Sequence, residues 1–434
     1  MNKILNLLLV VFFTTNCSFN SNSTFWSGEK KIQKEVSFTI REINEKQPVL
    51  QNEFNADLKI NLTDKKIENE LISKFYNNDG ISFYDGTLKS ISKYSFSKID
   101  KFERYEPEII INEDTIIFFD DKGTILKFDN NSKLLWKKNY YTKAEKKNKP
   151  FLFFANNLNT LIVADTIAKY YAININSGEL IWSKNNKSPF NSQIKIYKDK
   201  FFIVDDSNIL KCFSLSDGSL IWEFKTQDAL IRSQKKVSLA LKNNKIIFSS
   251  TIGDLTAVDV ETGKLVWQTP TRSNRIIEET MFLKISDIII GGNSIFFSNN
   301  ENEFFSIDEE TGILNWKQNI NSSLRPAYID DLIFTVTEEG FLIVIESNTG
   351  NIIRSTYLFE SIKEKKRKKI KPIGFIVGKK NIYLSTNTGR LFVIDILSGK
   401  TQSVIKIDNK KISRPKVLNQ NLYIAKDNSI VKLN

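Results

Sequence analysis

The ten-residue stretch VDVETGKLVW, Val258 to Trp267, has the composition of a tight turn followed by a strand. Asp259 can accept hydrogen bonds from the amides of such a turn, and Thr262 can do so more weakly. Gly263 can take a positive φ without a Cβ clash, and Trp267 supplies a large apolar surface with one N–H donor. The stretch therefore predicts a turn between two strands that ends in a packing residue.

The same turn recurs along the chain inside a longer repeat of strand, polar turn, strand, turn with Gly, and strand with Trp. The Gly and Trp positions of the complete copies are Gly178 with Trp182, Gly218 with Trp222, Gly263 with Trp267 and Gly312 with Trp316. The first copy has Ser132 at the Gly position and keeps Trp136, whereas two later copies keep Gly350 and Gly399 and lose the Trp. Five of the six Trp in the chain thus occupy one repeat position.

Successive Gly positions lie 38 to 49 residues apart, which suits four-stranded propeller blades of roughly 40–50 residues. Seven copies end at Ser403, and an eighth, Asn421–Asn434, stops before its last strand. The segment 80–99 carries an unpaired strand at the other end of the repeats. We therefore predict an all-β fold, an eight-bladed β-propeller of four-stranded antiparallel blades over residues 80–434, whose ring is closed by an N-terminal strand. Seven blades is the alternative.

The N-terminus, MNKILNLLLVVFFTTNC, has one Lys and then a short apolar run that leads into Cys17. The run is too short to span a bilayer but fits a secretory signal. It resembles a lipoprotein signal over residues 1–17 in which Cys17 is lipidated, although Thr14 stands where Leu is usual. An ordinary signal peptide is the alternative. Residues 18–79 predict a polar tether and an irregular segment.

Composition excludes several kinds of catalytic site. The chain has no His, which excludes Ser-His-Asp and Cys-His catalysis, and its two Cys are too few for a structural zinc site. Cys212 is expected to be buried and inert. The net charge of +12 is compatible with an anionic partner or with a merely solvated basic surface. The basic runs Lys143–Pro150 and Ser361–Pro372 predict solvated loops, with contact to anionic lipid as the alternative; neither has the interleaved aromatic residues that favour nucleic acid.

The turn pattern Asp-x-x-Thr/Ser-Gly-x-x-x-Trp resembles the repeat of the propellers related to pyrroloquinoline-quinone (PQQ) dehydrogenases. With the signal, the length and the blade count, the chain resembles, within that group, the BamB family of lipoproteins of the outer-membrane β-barrel assembly machinery. The resemblance implies a non-enzymatic scaffold without a cofactor, anchored by lipid at the periplasmic face of the outer membrane of a Gram-negative bacterium. The implied partners are the barrel-forming subunit and unfolded outer-membrane proteins, and not nucleic acid.

One loop extends the resemblance. BamB proteins carry an apolar-x-apolar-Arg loop before a central blade, which is implied to contact the barrel-forming subunit. Here Ala229, Leu230, Ile231 and Arg232 occupy that place, with Ala229 where Leu is usual. We therefore predict that Leu230, Ile231 and Arg232 bind the partner. The family's acidic loop should fall within EETMFLKISD, residues 278–287, but its pattern does not align cleanly there, so no role is assigned to Asp287.

Two other functions remain open from the sequence. One is a periplasmic sensor or adhesion module that binds a saccharide or an unrelated protein. The other is a PQQ-dependent dehydrogenase, a class that resembles this fold and uses Ca²⁺, a carboxylate base and a pair of adjacent Cys. The two Cys of this chain are not adjacent, and Asp259 and Asp308 lie in the repeated turns, where a structural role suffices. No catalytic, metal-binding or cofactor-binding residue is therefore predicted.

Overall fold

The computed structural model describes residues 60, 84–105, 107–112, 114–226, 235–250, 253–271 and 283–434. Its strands form eight four-stranded antiparallel sheets. Seven of the sheets consist of four strands that are consecutive in sequence, whereas the eighth joins the first strand to the last three. The predicted eight-bladed propeller is confirmed, and the alternative of seven blades is wrong.

The strands of the first four blades follow the chain in order. Blade 1 has β2 (Ile110–Ile111), β3 (Thr115–Phe119), β4 (Ile125–Asp129) and β5 (Leu134–Lys138). Blade 2 has β6 (Leu152–Asn157), β7 (Thr160–Asp165), β8 (Lys169–Asn174) and β9 (Leu180–Asn185). Blade 3 has β10 (Lys195–Tyr197), β11 (Lys200–Val204), β12 (Ile209–Ser214) and β13 (Leu220–Lys225). Blade 4 has β14 (Leu239–Lys242), β15 (Lys245–Ser249), β16 (Leu255–Asp259) and β17 (Leu265–Thr269).

The remaining blades complete the ring. Blade 5 has β18 (Ile289–Gly291), β19 (Ser294–Ser298), β20 (Phe304–Asp308) and β21 (Leu314–Gln318). Blade 6 has β22 (Ala327–Ile329), β23 (Leu332–Val336), β24 (Phe341–Glu346) and β25 (Ile352–Tyr357). Blade 7 has β26 (Pro372–Val377), β27 (Asn381–Thr386), β28 (Arg390–Asp395) and β29 (Thr401–Lys406). Blade 8 has β30 (Lys416–Leu418), β31 (Asn421–Lys426), β32 (Ser429–Leu433) and β1 (Ser90–Ser95).

Among the described residues, three short helices lie in the connections: a 3-10 helix at Asp100–Glu103, α1 at Lys143–Lys147 and α2 at Glu364–Arg367. Both basic runs therefore contain a short helix rather than only loop. At the start of α1, Thr142 and Glu145 form a capping box, in which each side chain accepts a hydrogen bond from the other's backbone N–H.

Burial shows how the blades are oriented. The middle strands of a blade are almost wholly buried, as in β15 and β16, because their two faces pack against the neighbouring blades. The fourth strand is largely exposed, as in β17. The first strands of successive blades contact one another, as β6 does with β10 and β10 with β14. The first strands therefore line the central axis, and the fourth strands form the rim.

The repeated turn has the geometry that its residues predict. In blade 4, Asp259 Oδ1 accepts hydrogen bonds from the N–H of Glu261 (3.1 Å) and from the N–H and hydroxyl of Thr262 (both 2.7 Å). Gly263 has a φ of +70° and donates its N–H to the Asp259 carbonyl at 2.9 Å. Ser132 takes a φ of +67° at the equivalent position of blade 1. Asp259 therefore has a structural role in the turn.

Five of the six repeat glycines lie against the Trp of the preceding blade, and Gly399 lies against Arg354 and Thr356. A Cβ at Gly263 would come within 2.7 Å of the Trp222 ring, and the pairs that repeat this contact are Gly178 with Trp136, Gly218 with Trp182, Gly312 with Trp267 and Gly350 with Trp316. The indole N–H then donates to a backbone carbonyl of the same neighbouring turn, as Trp222 does to Val260 at 3.1 Å. Trp182, Trp267 and Trp316 make the equivalent bonds to Leu215, Glu309 and Ser347. The Gly–Trp pair thus joins consecutive blades.

Two joints use another donor in place of Trp. Arg354, at the Trp position of blade 6, donates from Nη1 to the Ile396 carbonyl of blade 7 at 3.2 Å. Tyr94 of β1 is fully buried and donates its hydroxyl to the Asn130 carbonyl of blade 1 at 3.1 Å. At the joint that contains Trp136, Lys127 Nζ, rather than the indole, donates a hydrogen bond to the Ile175 carbonyl at 3.0 Å. Side-chain donors other than an indole can therefore supply this hydrogen bond between blades.

The ring closes through the N-terminal strand, as predicted. β1 pairs with β32 in antiparallel register, with Tyr94 opposite Ile430 and Ser95 opposite Ser429. Blade 8 packs on blade 1 because Tyr94, Tyr423 and Ile430 share one hydrophobic cluster with the strands of blades 1 and 2. Both ends of the described propeller are therefore held in one sheet.

Candidate interaction surfaces

The connections that lead into the first strands converge at one end of the central axis. Residues from seven of the eight blades line a cavity of about 320 Å³ there, including Arg104, Phe153, Lys235, Lys284, Arg325, Lys371 and Arg414. Side chains from so many blades can meet only on the propeller axis. We call this cavity the basic funnel.

The lining of the basic funnel is strongly cationic. Its described residues include three carboxylates, Glu103, Asp287 and Glu338, against eight basic side chains, Arg104, Lys235, Lys236, Lys284, Arg325, Lys371, Lys411 and Arg414. Tyr105, Phe153 and Leu324 supply apolar wall between the charges. Because low-dielectric walls focus the field of such charges, the funnel attracts anions.

Asp287 is the nearly buried acid among these cations. Its Oδ2 lies 3.6 Å from Arg414 Nη1. Burial alone would raise its pKa, but Lys235, Arg414 and Arg325 outweigh burial and hold the pKa of Asp287 well below its usual range. Asp287 is therefore a permanent counter-charge inside the funnel and not a proton donor near neutral pH.

A second charged layer lies at the first strands beside the funnel. Burial raises the pKa of Glu108, yet Lys236 and Lys416 lower it more, and Lys236 Nζ forms an ion pair with its carboxylate. Burial lowers the pKa of Lys195 to about 8, although Glu108 opposes the shift. Burial thus makes Lys195 hold its proton less tightly than a free lysine does, even though the Glu108 carboxylate opposes the shift.

The partner residues predicted from sequence, Leu230, Ile231 and Arg232, lie outside the described residues, and so does Cys17. The described chain stops at Thr226, after the outer strand of blade 3, and resumes at Lys235, before the inner strand of blade 4. Thr226 is held by a hydrogen bond from its hydroxyl to the Asn208 carbonyl at 3.0 Å, and Lys235 lines the funnel. The predicted loop therefore belongs to the connection between blades 3 and 4, and Lys235, the first described residue after it, lines the funnel.

Other residues singled out from sequence have structural surroundings. Cys212 is buried in the sheet, where burial raises the pKa of its thiol to about 12, so it is not a reactive thiolate. Asp308 accepts hydrogen bonds from the N–H (2.8 Å) and hydroxyl (2.7 Å) of Thr311, as the repeated turn requires. Lys371, at the end of the second basic run, contributes to the funnel lining.

Sequence reasoning missed the basic funnel. Apart from Lys371, which ends the second basic run, its charges are scattered as one or two residues in each connection. Aligning the copies on their inner strands would have found them, since Lys235, Lys284, Arg325 and Arg414 all precede an inner strand by a few residues. The signal lies in position within the repeat and not in local composition.

Two properties of the described part of the chain bear on membranes and metals. None of its helices is both long enough and apolar enough to cross a bilayer. Across the same ranges, no group of three or more Cys, Asp or Glu side chains is placed to hold a metal ion.

The family model described as "Outer membrane protein assembly factor BamB" matches residues 121–356, more than half of the chain. The chain belongs to the BamB family. The match runs from the first hairpin of blade 1 to the outer strand of blade 6, and it includes the connection that carries Leu230, Ile231 and Arg232. A comparison with curated proteins gave no significant match.

Solved structures agree on the fold. BamB from Moraxella catarrhalis superposes with a TM-score of 0.66 at 15% identity, over 80% of this chain and 100% of that one. A quinohemoprotein alcohol dehydrogenase from Pseudomonas putida superposes with a TM-score of 0.61 at 10% identity, over 82% of this chain and 78% of that one. The computationally designed Ika8 protein reaches 0.61 at 14% identity, over 80% and 99%. Identities this low show the shared propeller and not a shared activity.

Proposed function

We propose that this BamB-family chain is a non-enzymatic scaffold of the outer-membrane β-barrel assembly machinery. In this role it binds the barrel-forming subunit and assists the folding and insertion of outer-membrane proteins. The observation that carries the proposal is the match of the BamB family model across blades 1 to 6. The dehydrogenase likeness extends to the fold alone, and this chain has only the separated Cys17 and Cys212 where those enzymes use adjacent cysteines.

The partner site in this proposal is the loop with Leu230, Ile231 and Arg232. Arginine is one of the residue types in which interface hot spots are enriched, and apolar neighbours such as Leu230 and Ile231 can exclude water from such a contact. Support comes from the position of the loop, which connects two central blades within the region matched by the family model.

Arg232→Glu is expected to abolish co-purification with the barrel-forming subunit, because the reversed charge removes the donor and repels the acidic group that it would contact. Pull-down from solubilised membranes measures the effect, with β-sheet circular dichroism as the check on folding. The matched control is Lys187→Glu, the same charge change at an exposed residue of the connection between blades 2 and 3. Undiminished co-purification of the Arg232 variant would overturn the loop assignment.

Photo-crosslinking from residue 231 in cells distinguishes the two binding functions. Capture of a barrel-assembly subunit supports the scaffold. Capture of a saccharide-bearing envelope component, or of an unrelated surface protein, supports the sensor or adhesion function instead.

The proposal includes lipid anchoring at Cys17 and a position at the periplasmic face of the outer membrane. Its support is the signal-like sequence of residues 1–17 and the family membership. Cells fed radiolabelled palmitate are expected to label the wild-type protein and not a Cys17→Ala variant, because the thiol is the attachment point. The Cys212→Ala variant is the control and should label like the wild type. Equal labelling of the Cys17 variant contradicts the anchor.

A further inference from the structure

We propose that the basic funnel is a binding site for a small anion that carries two or more carboxylate or phosphate groups. The site lies on the propeller axis and is lined by described residues, whereas the proposed partner contact depends on the loop that contains Arg232. The two proposals can therefore be tested independently of each other.

The first argument is the surplus of charge. Within one cavity, the described lining holds eight basic side chains against three carboxylates, Glu103, Asp287 and Glu338. Asp287 is already ionised in the empty protein, so the surplus of positive charge remains after its negative charge has been subtracted. Gathering so many like charges costs free energy in the empty protein, and a multivalent anion relieves that cost.

The second argument is that the cations are held in place. Lys235 Nζ donates a hydrogen bond to the Ser323 carbonyl of the connection into blade 6. Lys411 Nζ donates to the carbonyls of Phe102 at 3.0 Å and Glu103 at 2.9 Å. The guanidinium of Arg104 lies 5.5 Å from the centre of the Tyr105 ring. Side chains that are already ordered lose little entropy when a ligand binds.

The third argument is size. The cavity volume of about 320 Å³ falls at the lower end of small-molecule sites, which typically measure roughly 300–1,000 Å³. Residues of seven blades surround it, so a small ligand or a single headgroup fits better than a polymer strand. Tyr105, Phe153 and Leu324 add the apolar wall that such sites usually have.

The test uses the purified full-length protein and two probe anions, pyrophosphate and citrate, in isothermal titration calorimetry at low ionic strength. The variant Lys284→Glu/Lys371→Glu reverses two exposed charges of the funnel lining without touching the core. The matched control, Lys365→Glu/Lys366→Glu, makes the same charge change on exposed residues of α2 that do not line the funnel. Both variants should keep the circular dichroism of the wild type.

We expect the wild type and the control to bind at least one probe, and the funnel variant to bind it about tenfold more weakly or worse, because two attractive charges become repulsive. Binding should also weaken with added salt. Tighter binding of pyrophosphate assigns a phosphate ligand, and tighter binding of citrate assigns a polycarboxylate. Absence of binding for both probes overturns the proposal, and so does equal weakening in the control, which would trace affinity to net charge alone.

Discussion

Replacing Gly312 with alanine is expected to lower the free energy of unfolding by about 3 kcal/mol. Two costs combine. The residue has a φ of +73°, and an alanine in that region costs roughly 1–2 kcal/mol. Its new Cβ would also come within 2.6 Å of the Trp267 ring, and overpacking of this kind costs roughly 1–3 kcal/mol. Trp267 cannot move away freely, since its N–H is bonded to the Glu309 carbonyl at 3.2 Å.

Gly292→Ala is the matched control for that prediction. Gly292 also has a positive φ, +57°, but the nearest atom to its Cβ would be the Tyr328 hydroxyl at 3.7 Å. The control therefore carries the backbone cost without the clash, about 1 kcal/mol. Urea unfolding followed by tryptophan fluorescence compares the two midpoints. Equal losses for both variants would show that the blade joint tolerates the added methyl group and that the Gly–Trp contact is not tight.

Replacing Asp287 with asparagine is expected to cost about 3 kcal/mol of stability at neutral pH. The carboxylate is the nearly buried negative charge among Arg414, Arg325 and Lys235, and breaking a buried pair leaves uncompensated charge behind. Asparagine keeps the size and part of the hydrogen bonding, so the loss reports the charge itself. Asp114→Asn, at an exposed carboxyl between β2 and β3, is the control and should change stability by less than about 0.5 kcal/mol.

The pH dependence of that loss gives an independent readout. Burial raises the pKa of Asp287, but the neighbouring cations lower it further, so the folded pKa lies below the unfolded value of about 3.9. The stabilisation is therefore fully present above that unfolded value and declines as the pH falls below it toward the folded pKa. The difference between wild type and Asp287→Asn should shrink from about 3 kcal/mol at pH 7 to about 2 kcal/mol at pH 3. A difference that stays constant would assign the loss to packing.

Much of the architecture could be predicted because the residues that form each blade turn are close together in the sequence. Asp259, Gly263 and Trp267 each have a role within a few residues of the turn, so their spacing predicts the unit, and repetition predicts the ring. The substitutes at two joints could not be predicted in the same way. Arg354 and Tyr94 act through bonds to Ile396 and Asn130, which belong to other blades, and neither resembles a tryptophan in sequence.

An exposed apolar pair precedes four of the five repeat Trp residues, and a simple alternating pattern does not predict it. In blade 3, Leu220 is 50% exposed and Ile221 is 44% exposed, although neighbours in a regular strand face opposite sides. A bulge explains both, because Trp222 pairs with Cys212 and Leu220 pairs with Phe213, which leaves Ile221 unpaired in the ladder.

The sequence by itself determined the repeat unit, because the unit depends on short-range turn chemistry and on periodic burial. It also predicted the N-terminal closing strand and eight blades, with seven as the alternative that only the structure excluded. Only the tertiary structure decided where the isolated charges meet. Lys235, Lys284, Arg325 and Arg414 are far apart in the chain and sit in connections of different length, yet ring closure brings them to one axis. The electrostatic potential at a point depends on the distances through space to the surrounding charges. In a ring, residues far apart in the sequence can lie at similar distances from the axis.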